Sequence, residues 1–229
     1  EGHPEYGAGM PGVTFIPTPN PYRCRFCETR KSCDMGCFDY SMEMLDLTTS
    51  GEPAAVIVEP VLGGPILVPP KKYMQALRRF CTERGALLIV DEALTGLGRT
   101  GRWFASEHHE IVPDVITLSK SLGGAVPLSA TLVSKEVANK LESNGYAQST
   151  SHSGDPFLCG VSLANIDIIE SEGLVENAAK MGDYFKAGLE TLRDQYEIVG
   201  DVRGLGLLLG IEIVKDKDSA EPAVDFMDQ

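Results

Sequence analysis

The chain has 229 residues, 43% hydrophobic and 23% charged, a composition that fits a folded globular protein and not a disordered one. Its formal charge of −13, from 33 acidic and 20 basic residues, argues against nucleic acid or an anionic membrane as partner, because both repel an acidic surface. No apolar run approaches the roughly 20 residues that cross a bilayer, and no basic segment followed by an apolar one opens the chain, so neither a membrane span nor a secretory leader is expected.

Residues 1–53 are rich in Pro, Gly and turn formers, and only short regular pieces are expected there. The stretch Glu1–Met10 reads like the interior of a longer protein, without an initiator methionine. Cys24, Cys27, Cys33 and Cys37 crowd into one segment, while Cys81 and Cys159 stand alone. With no export signal, reduced thiols and a cytoplasmic location are expected. The spacing of the four clustered cysteines could hold zinc, although it lacks the paired CxxC…CxxC form.

From Ala54 the pattern changes. Ala54–Val58 is a continuous apolar run, the mark of a strand covered on both faces, and it ends at Glu59-Pro60. Lys71–Arg84 has helical apolar spacing at Tyr73, Met74, Leu77 and Phe80, with Gly85 as C-cap. A second buried strand, Ala86–Val90, runs into Asp91-Glu92. A third, Val115–Leu118, runs into Ser119-Lys120. Ser129–Val133 is a fourth, after which Ser134 caps a helix to Glu142. Two long helices follow, near Phe157–Glu172 and Leu174–Tyr196, then a Gly-punctuated β segment, Val199–Val214, and a charged stretch, Lys215–Gln229. Buried strands alternating with helices predict an α/β fold with a mainly parallel sheet. Residues 1–165 are assigned to a large domain, and 166–229 to connecting helices and the start of a smaller α+β domain.

Ligands of open α/β sheets sit at the carboxyl ends of the strands. Three such ends carry polar groups here: Glu59, Asp91 with Glu92, and Lys120. The strand before Lys120 would desolvate its amine and favour the neutral nucleophile; the plainer reading is a strand-end lysine reaching solvent. Asp91 closes an apolar strand, where a carboxylate is costly unless it meets a cation; the plainer reading is an aspartate that caps the following loop. Trp103 and Phe104 are read as packing residues, and His108 and His109 as surface residues.

Taken together, these segments resemble the class III aminotransferases. Asp91-Glu92-Ala93-Leu94-Thr95-Gly96-Leu97-Gly98-Arg99-Thr100-Gly101 is similar to the family's signature, and Pro113–Gly124 to its lysine segment at the family's spacing. Val58-Glu59-Pro60 and Asp201–Gly206 also fit. Within the family, His152-Ser153-Gly154-Asp155-Pro156, Glu172–Val175 and Met181-Gly182-Asp183 resemble the 2,2-dialkylglycine decarboxylases. The resemblance implies the type I fold of pyridoxal-phosphate (PLP) enzymes, a homodimer or homotetramer, and a site shared between subunits. It implies Lys120 as the Schiff-base lysine and Asp91 as partner of the cofactor's ring nitrogen. Ser151, or Thr150 beside it, would reach the neighbouring subunit's cofactor phosphate. Ser151, Ser153 and Asp155 would hold an alkali cation, K+ or Na+; the plainer reading of that loop is a polar turn with Asp155 capping a helix.

The implied reaction is decarboxylation-coupled transamination of a 2,2-dialkylglycine-type amino acid, with a keto acid such as pyruvate as acceptor. The alternatives are a class III transaminase without decarboxylation, acting on an ω-amine or amino acid, and an inactive truncated homologue. Leu94 stands where the family usually has a glutamine that bonds the cofactor's phenolic oxygen, and leucine cannot make that bond. The family's phosphate loop and stacking aromatic would precede Glu1, and its carboxylate-binding arginine would follow Gln229. Arg203 is not that arginine; its motif is structural.

Overall fold

The structure, a computed structural model, describes residues 10–27 and 33–223. The readings on residues 1–9 and on the end of the charged stretch, 224–229, lie outside the described residues. Among the described residues six strands and five α-helices follow in the order α1 (Gly36–Thr48), β1 (Ala55–Val58), α2 (Lys71–Arg84), β2 (Leu87–Asp91), β3 (Val115–Leu118), β4 (Ala130–Val133), α3 (Lys135–Ser143), α4 (Pro156–Ser171), α5 (Leu174–Gln195), β5 (Val199–Leu205) and β6 (Leu208–Ile213). Strands β1 to β4 form one sheet in that order. β1, β2 and β3 are parallel, with Val58 beside Val90 and Asp91 beside Thr117, and β4 runs antiparallel to β3. The expectation of an α/β fold with a mainly parallel sheet holds.

The local signals do what their chemistry dictates. Gly85 ends α2 in the left-handed conformation, its N–H bonded to the carbonyls of Cys81 and Thr82. Ser134 caps α3 by accepting from the Val137 N–H. α2 presents Tyr73, Met74, Leu77, Phe80 and Cys81 to a core shared with Leu88 and Val90 of β2 and with Cys37 and Leu45 of α1. Because side chains alternate along a strand, Leu87, Ile89 and Asp91 point to the other face of the sheet. A second cluster joins Leu97, Leu118 and Leu122 to Ile169 of α4 and Val175 of α5, with Trp103 and Phe104 packed against it as expected.

Three expectations need correcting. Residues 36–48 form a full helix, α1, which has no side-chain N-cap and owes its burial to Cys37, Ser41 and Leu45. β1 is not covered on both faces: Ile57 is 66% exposed, and every residue of β4 is exposed. Both are outer strands of the described sheet. His109 is not a surface residue. It is only 2% exposed, and its Nε2 donates to the Pro60 carbonyl at 2.9 Å. Burial pushes both its ring pKa and that of the part-buried His108 below the ordinary 6.5.

Strands β5 and β6 form a separate antiparallel pair. Arg203 on β5 donates to the carbonyls of Pro65 and Ile66 and pairs with Asp201 and, at 2.7 Å, with Glu212. It is structural, as read from the sequence. Arg23 reaches the same Glu212 at 2.7 Å and the Ala220 carbonyl, which ties the residue 20–24 segment to the ribbon.

The ribbon meets the rest of the chain through glycine. A methyl group built on Gly206 would collide with the Thr100 backbone, one on Gly182 of α5 with the Gly206 backbone, and one on Gly101 would lie 2.8 Å from Ala179. The Leu207 N–H bonds the Arg99 carbonyl at 3.1 Å. Three segments therefore touch backbone to backbone, behind the loop that follows β2.

Candidate active site

The parallel register brings the ends of β1, β2 and β3 to one edge. At the first, Glu59 Oε2 accepts the Gly63 N–H at 2.9 Å and closes a tight turn. At the second, Asp91 Oδ1 accepts from the Thr117 hydroxyl at 3.0 Å and from the Ala93 N–H at 2.9 Å. Loop capping is thus one of its roles, and it uses one oxygen only. Oδ2 has no protein partner among the described residues and is free to take a proton-bearing group. The hydroxyl that aims the carboxylate belongs to the residue paired with it across the sheet, which sequence reading did not single out.

Beyond β3, Lys120 is exposed, so the strand does not enclose its amine. No hydrogen bond or ion pair engages that amine among the described residues. The Lys120 backbone has φ +44°, a left-handed conformation that lysine rarely adopts. Such strain persists only where surrounding structure imposes it, and it clusters at functional sites.

Glu92, next to Asp91, faces inward. It is 1% exposed, and its carboxylate accepts from the Thr95 hydroxyl, the Ala105 N–H (3.0 Å) and the Ser106 N–H (2.8 Å). These bonds start the one-turn 3-10 helix Ala105–His109 and anchor the signature loop from behind. The sequence shows Glu92 only as half of an acidic pair; its structural role comes from contacts 13 and 14 residues away. Leu94 packs against Gly63 and leaves no room there for a side chain.

The loop before α4 is arranged differently. Thr150, Ser151, His152, Ser153 and Gly154 are all exposed. Asp155 Oδ1 accepts from the N–H groups of Phe157 (2.9 Å) and Leu158 (3.3 Å) and caps α4. Among the described residues no hydrogen bond links Thr150 or Ser151 to Lys120 or Asp91. No group of three or more His, Cys, Asp or Glu side chains among the described residues is disposed to hold a metal ion, the four clustered cysteines included. Nor is any described helix long and apolar enough to cross a membrane.

Residues 2–229 match the family Aminotransferase class-III. The chain belongs to that family. This class-III aminotransferase chain is 40% identical over 215 residues to the leucine/methionine racemase of Thermococcus litoralis, covering 93% of the chain and 48% of the relative. It is 40% identical over 232 residues to the taurine–pyruvate aminotransferase of Bilophila wadsworthia, covering 96% and 50%. The solved amine transaminase of an uncultivated Pseudomonas species, in its PLP-bound form, superposes with a TM-score of 0.86 at 35% identity, over 96% of this chain and 51% of that one. The aminotransferase chain thus spans about half the length of the curated relatives it matches, and it shares the fold of the PLP-dependent transaminases.

Proposed function

We propose that this chain carries the lysine and the ring-nitrogen aspartate of a PLP-dependent aminotransferase. The observation that carries the reading is the pair of unpartnered polar atoms, Asp91 Oδ2 and the Lys120 amine, at the carboxyl ends of adjacent parallel strands. A carboxylate with one oxygen already fixed and one open fits a protonated pyridine nitrogen, and an unengaged amine fits the cofactor's aldehyde, so the residues present suit the group. When bound, PLP supplies an electron sink for the bond that breaks at the substrate carbon. Asp91 would hold the ring nitrogen and keep it protonated, as a nearby opposite charge does. Thr117 and the Ala93 N–H hold that carboxylate in place. Lys120 would anchor the cofactor and could serve as the acid–base that moves a proton at the substrate carbon. The donor is an amino acid or amine, and the acceptor is a keto acid such as pyruvate.

Decarboxylation of a 2,2-dialkylglycine is the more specific reading, and its support is the likeness of the loop His152–Pro156. The capping role of Asp155 and the exposure of Thr150–Gly154 favour transamination without decarboxylation. Kinship with a racemase adds a further outcome, proton removal and return without amine transfer.

The test uses the intact protein with PLP. Borohydride reduction should leave the cofactor on the peptide containing Lys120, and amino donors plus pyruvate should yield alanine. Cofactor trapped on another lysine would remove Lys120 from the role. Release of CO2 from 2-aminoisobutyrate, with rates that differ in K+, Na+ and Li+, would restore the decarboxylase reading. Loss of optical activity without alanine formation would replace transamination by racemisation.

A further inference from the structure

The turn that carries Lys120 is short, and its own hydrogen bonds are local. Lys120–Leu122 is a single 3-10 turn, entered from an extended Ser119. The N–H groups that close it each reach back three residues: Leu122 to Ser119 at 2.9 Å, Gly123 to Lys120 at 3.2 Å and Gly124 to Ser121 at 3.3 Å. One turn of such bonds is marginal by itself, and here it must also hold Lys120 at φ +44°. Something outside the turn has to impose that conformation. Leu122 supplies part of it, buried in a cluster with Leu97, Leu118, Ile169 and Val175. That contact is apolar and non-directional, so it draws the turn inward without fixing its rotation.

The directional restraint comes from α4. Asn165, half-buried in the middle of that helix, donates from Nδ2 to the Ser121 carbonyl at 2.6 Å, 44 residues earlier. Its Oδ1 lies 3.3 Å from the point where a methyl group on Gly124 would stand, and Gly124 has φ +61°. One side chain therefore meets the turn on both sides of Leu122. Asparagine is a poor choice for a helix interior, because its short amide competes for nearby backbone and favours caps and turns. Here the amide engages a distant carbonyl instead, so the turn, and not the helix, accounts for the residue type. α4 is itself fixed: Asp155 caps it, and Ile166 and Ile169 belong to the apolar packing around Leu122. The donor thus stands on a rigid element, as precise placement requires.

We infer that Asn165 is a positioning residue for Lys120, which rests on the reading of Lys120 as the cofactor's lysine. It acts through the Lys120 backbone. By holding the Ser121 carbonyl it fixes the chain that follows Lys120, and so the direction in which the lysine side chain leaves the turn. Without that bond, Lys120 relaxes toward the negative φ that lysine prefers, and its Cα–Cβ bond swings away. The side chain is long enough to find the cofactor even then, but it must search for a geometry that the native turn presets. The loss falls on the steps Lys120 performs, attachment of the cofactor and proton transfer, and not on binding of the amino donor.

The test uses the intact protein with two substitutions. Asn165→Ala favours the helix and should fold, and Asn165→Asp keeps the shape while removing the donor. PLP is removed, and the visible band of lysine-bound PLP is followed as the cofactor is added back. The band should form roughly tenfold more slowly in both variants, and kcat per bound cofactor should fall by a similar factor, because small misplacements cost factors of this order or more. KM for the amino donor should stay within about twofold, the mark of an interaction that serves the chemical step and not binding. A band that forms at the wild-type rate in either variant would overturn the inference. So would a loss confined to the melting temperature, as for a residue that only packs, or a change in KM alone. Borohydride trapping keeps the two levels apart. Cofactor fixed to another lysine in the wild type removes the reading of Lys120, whereas cofactor on Lys120 with unchanged rates in the variants removes the role of Asn165 alone.

Discussion

The rim of β2 and β3 and the loop Thr150–Asp155 both look like sites in the sequence, yet they are built differently. At the rim, the Asp91 carboxylate is aimed by a hydroxyl 26 residues away, Glu92 ties the following loop to backbone 13 and 14 residues away, and glycines 101, 182 and 206 seat that loop from behind. In the 150–155 loop the hydrogen bonds among the described residues reach only two to four residues along the chain, as in Ser153 N–H to the Thr150 carbonyl. A group placed by distant parts of the fold is fixed in space, whereas one placed by its neighbours follows them. Catalysis needs the former, because small misplacements cost large factors in rate.

The hardest break to the rim is Lys120→Ala in the intact protein. Turnover should fall beyond about 10⁴-fold, past what a single placed acid–base group contributes, and the cofactor's visible absorbance should vanish. Asp91→Asn should lower kcat by roughly 10- to 1,000-fold with PLP still bound, since an opposite charge is worth one to three pKa units at the ring nitrogen. Turnover near that of the wild type would place the charge elsewhere. Gly206→Ala attacks the same rim from behind. With φ +53° and the Thr100 backbone in the way, it should cost about 2–4 kcal/mol, read as a lower melting temperature.

In the loop, Asp155→Ala should cost only about 1 kcal/mol, the value of a helix N-cap, with turnover unchanged. Asp155→Asn, which can still cap, should restore the stability. A turnover loss in both variants would reverse the comparison and make this loop part of the site. The smallest effect concerns pH. Burial lowers the ring pKa of His109 below 6.5, so the unfolded chain takes up a proton that the folded one refuses. Stability is therefore full above pH 6.5 and falls as pH drops below it. His109→Gln, which can still donate to Pro60, should flatten that slope in melts from pH 7 to 5. His108, shifted the same way, should keep part of it.

Much of this was legible in advance where one local signal sufficed. The parallel strands show as short apolar runs, the ends of α2 and α3 as Gly85 and Ser134, and the two polar strand ends as Asp91 and Lys120. What stayed hidden depends on distant partners. α1 has no side-chain cap, and it forms because Cys37 and Leu45 find Tyr73 and Leu88, which tertiary packing supplies and propensity does not. His109 sits in a polar stretch and is buried by a carbonyl 49 residues earlier. The exposure of β1 and β4 follows from their outer positions in the sheet, which an apolar run does not encode.

The glycine junction also bears on how this chain can change over generations. In an ordinary core, an oversized replacement can be rescued by a smaller residue opposite it. At Gly182 and Gly206 the opposing atoms are main chain, so no second substitution can make room. Each position is a mutational dead end, and drift in this part of the molecule must run through the residues around the junction, never through it.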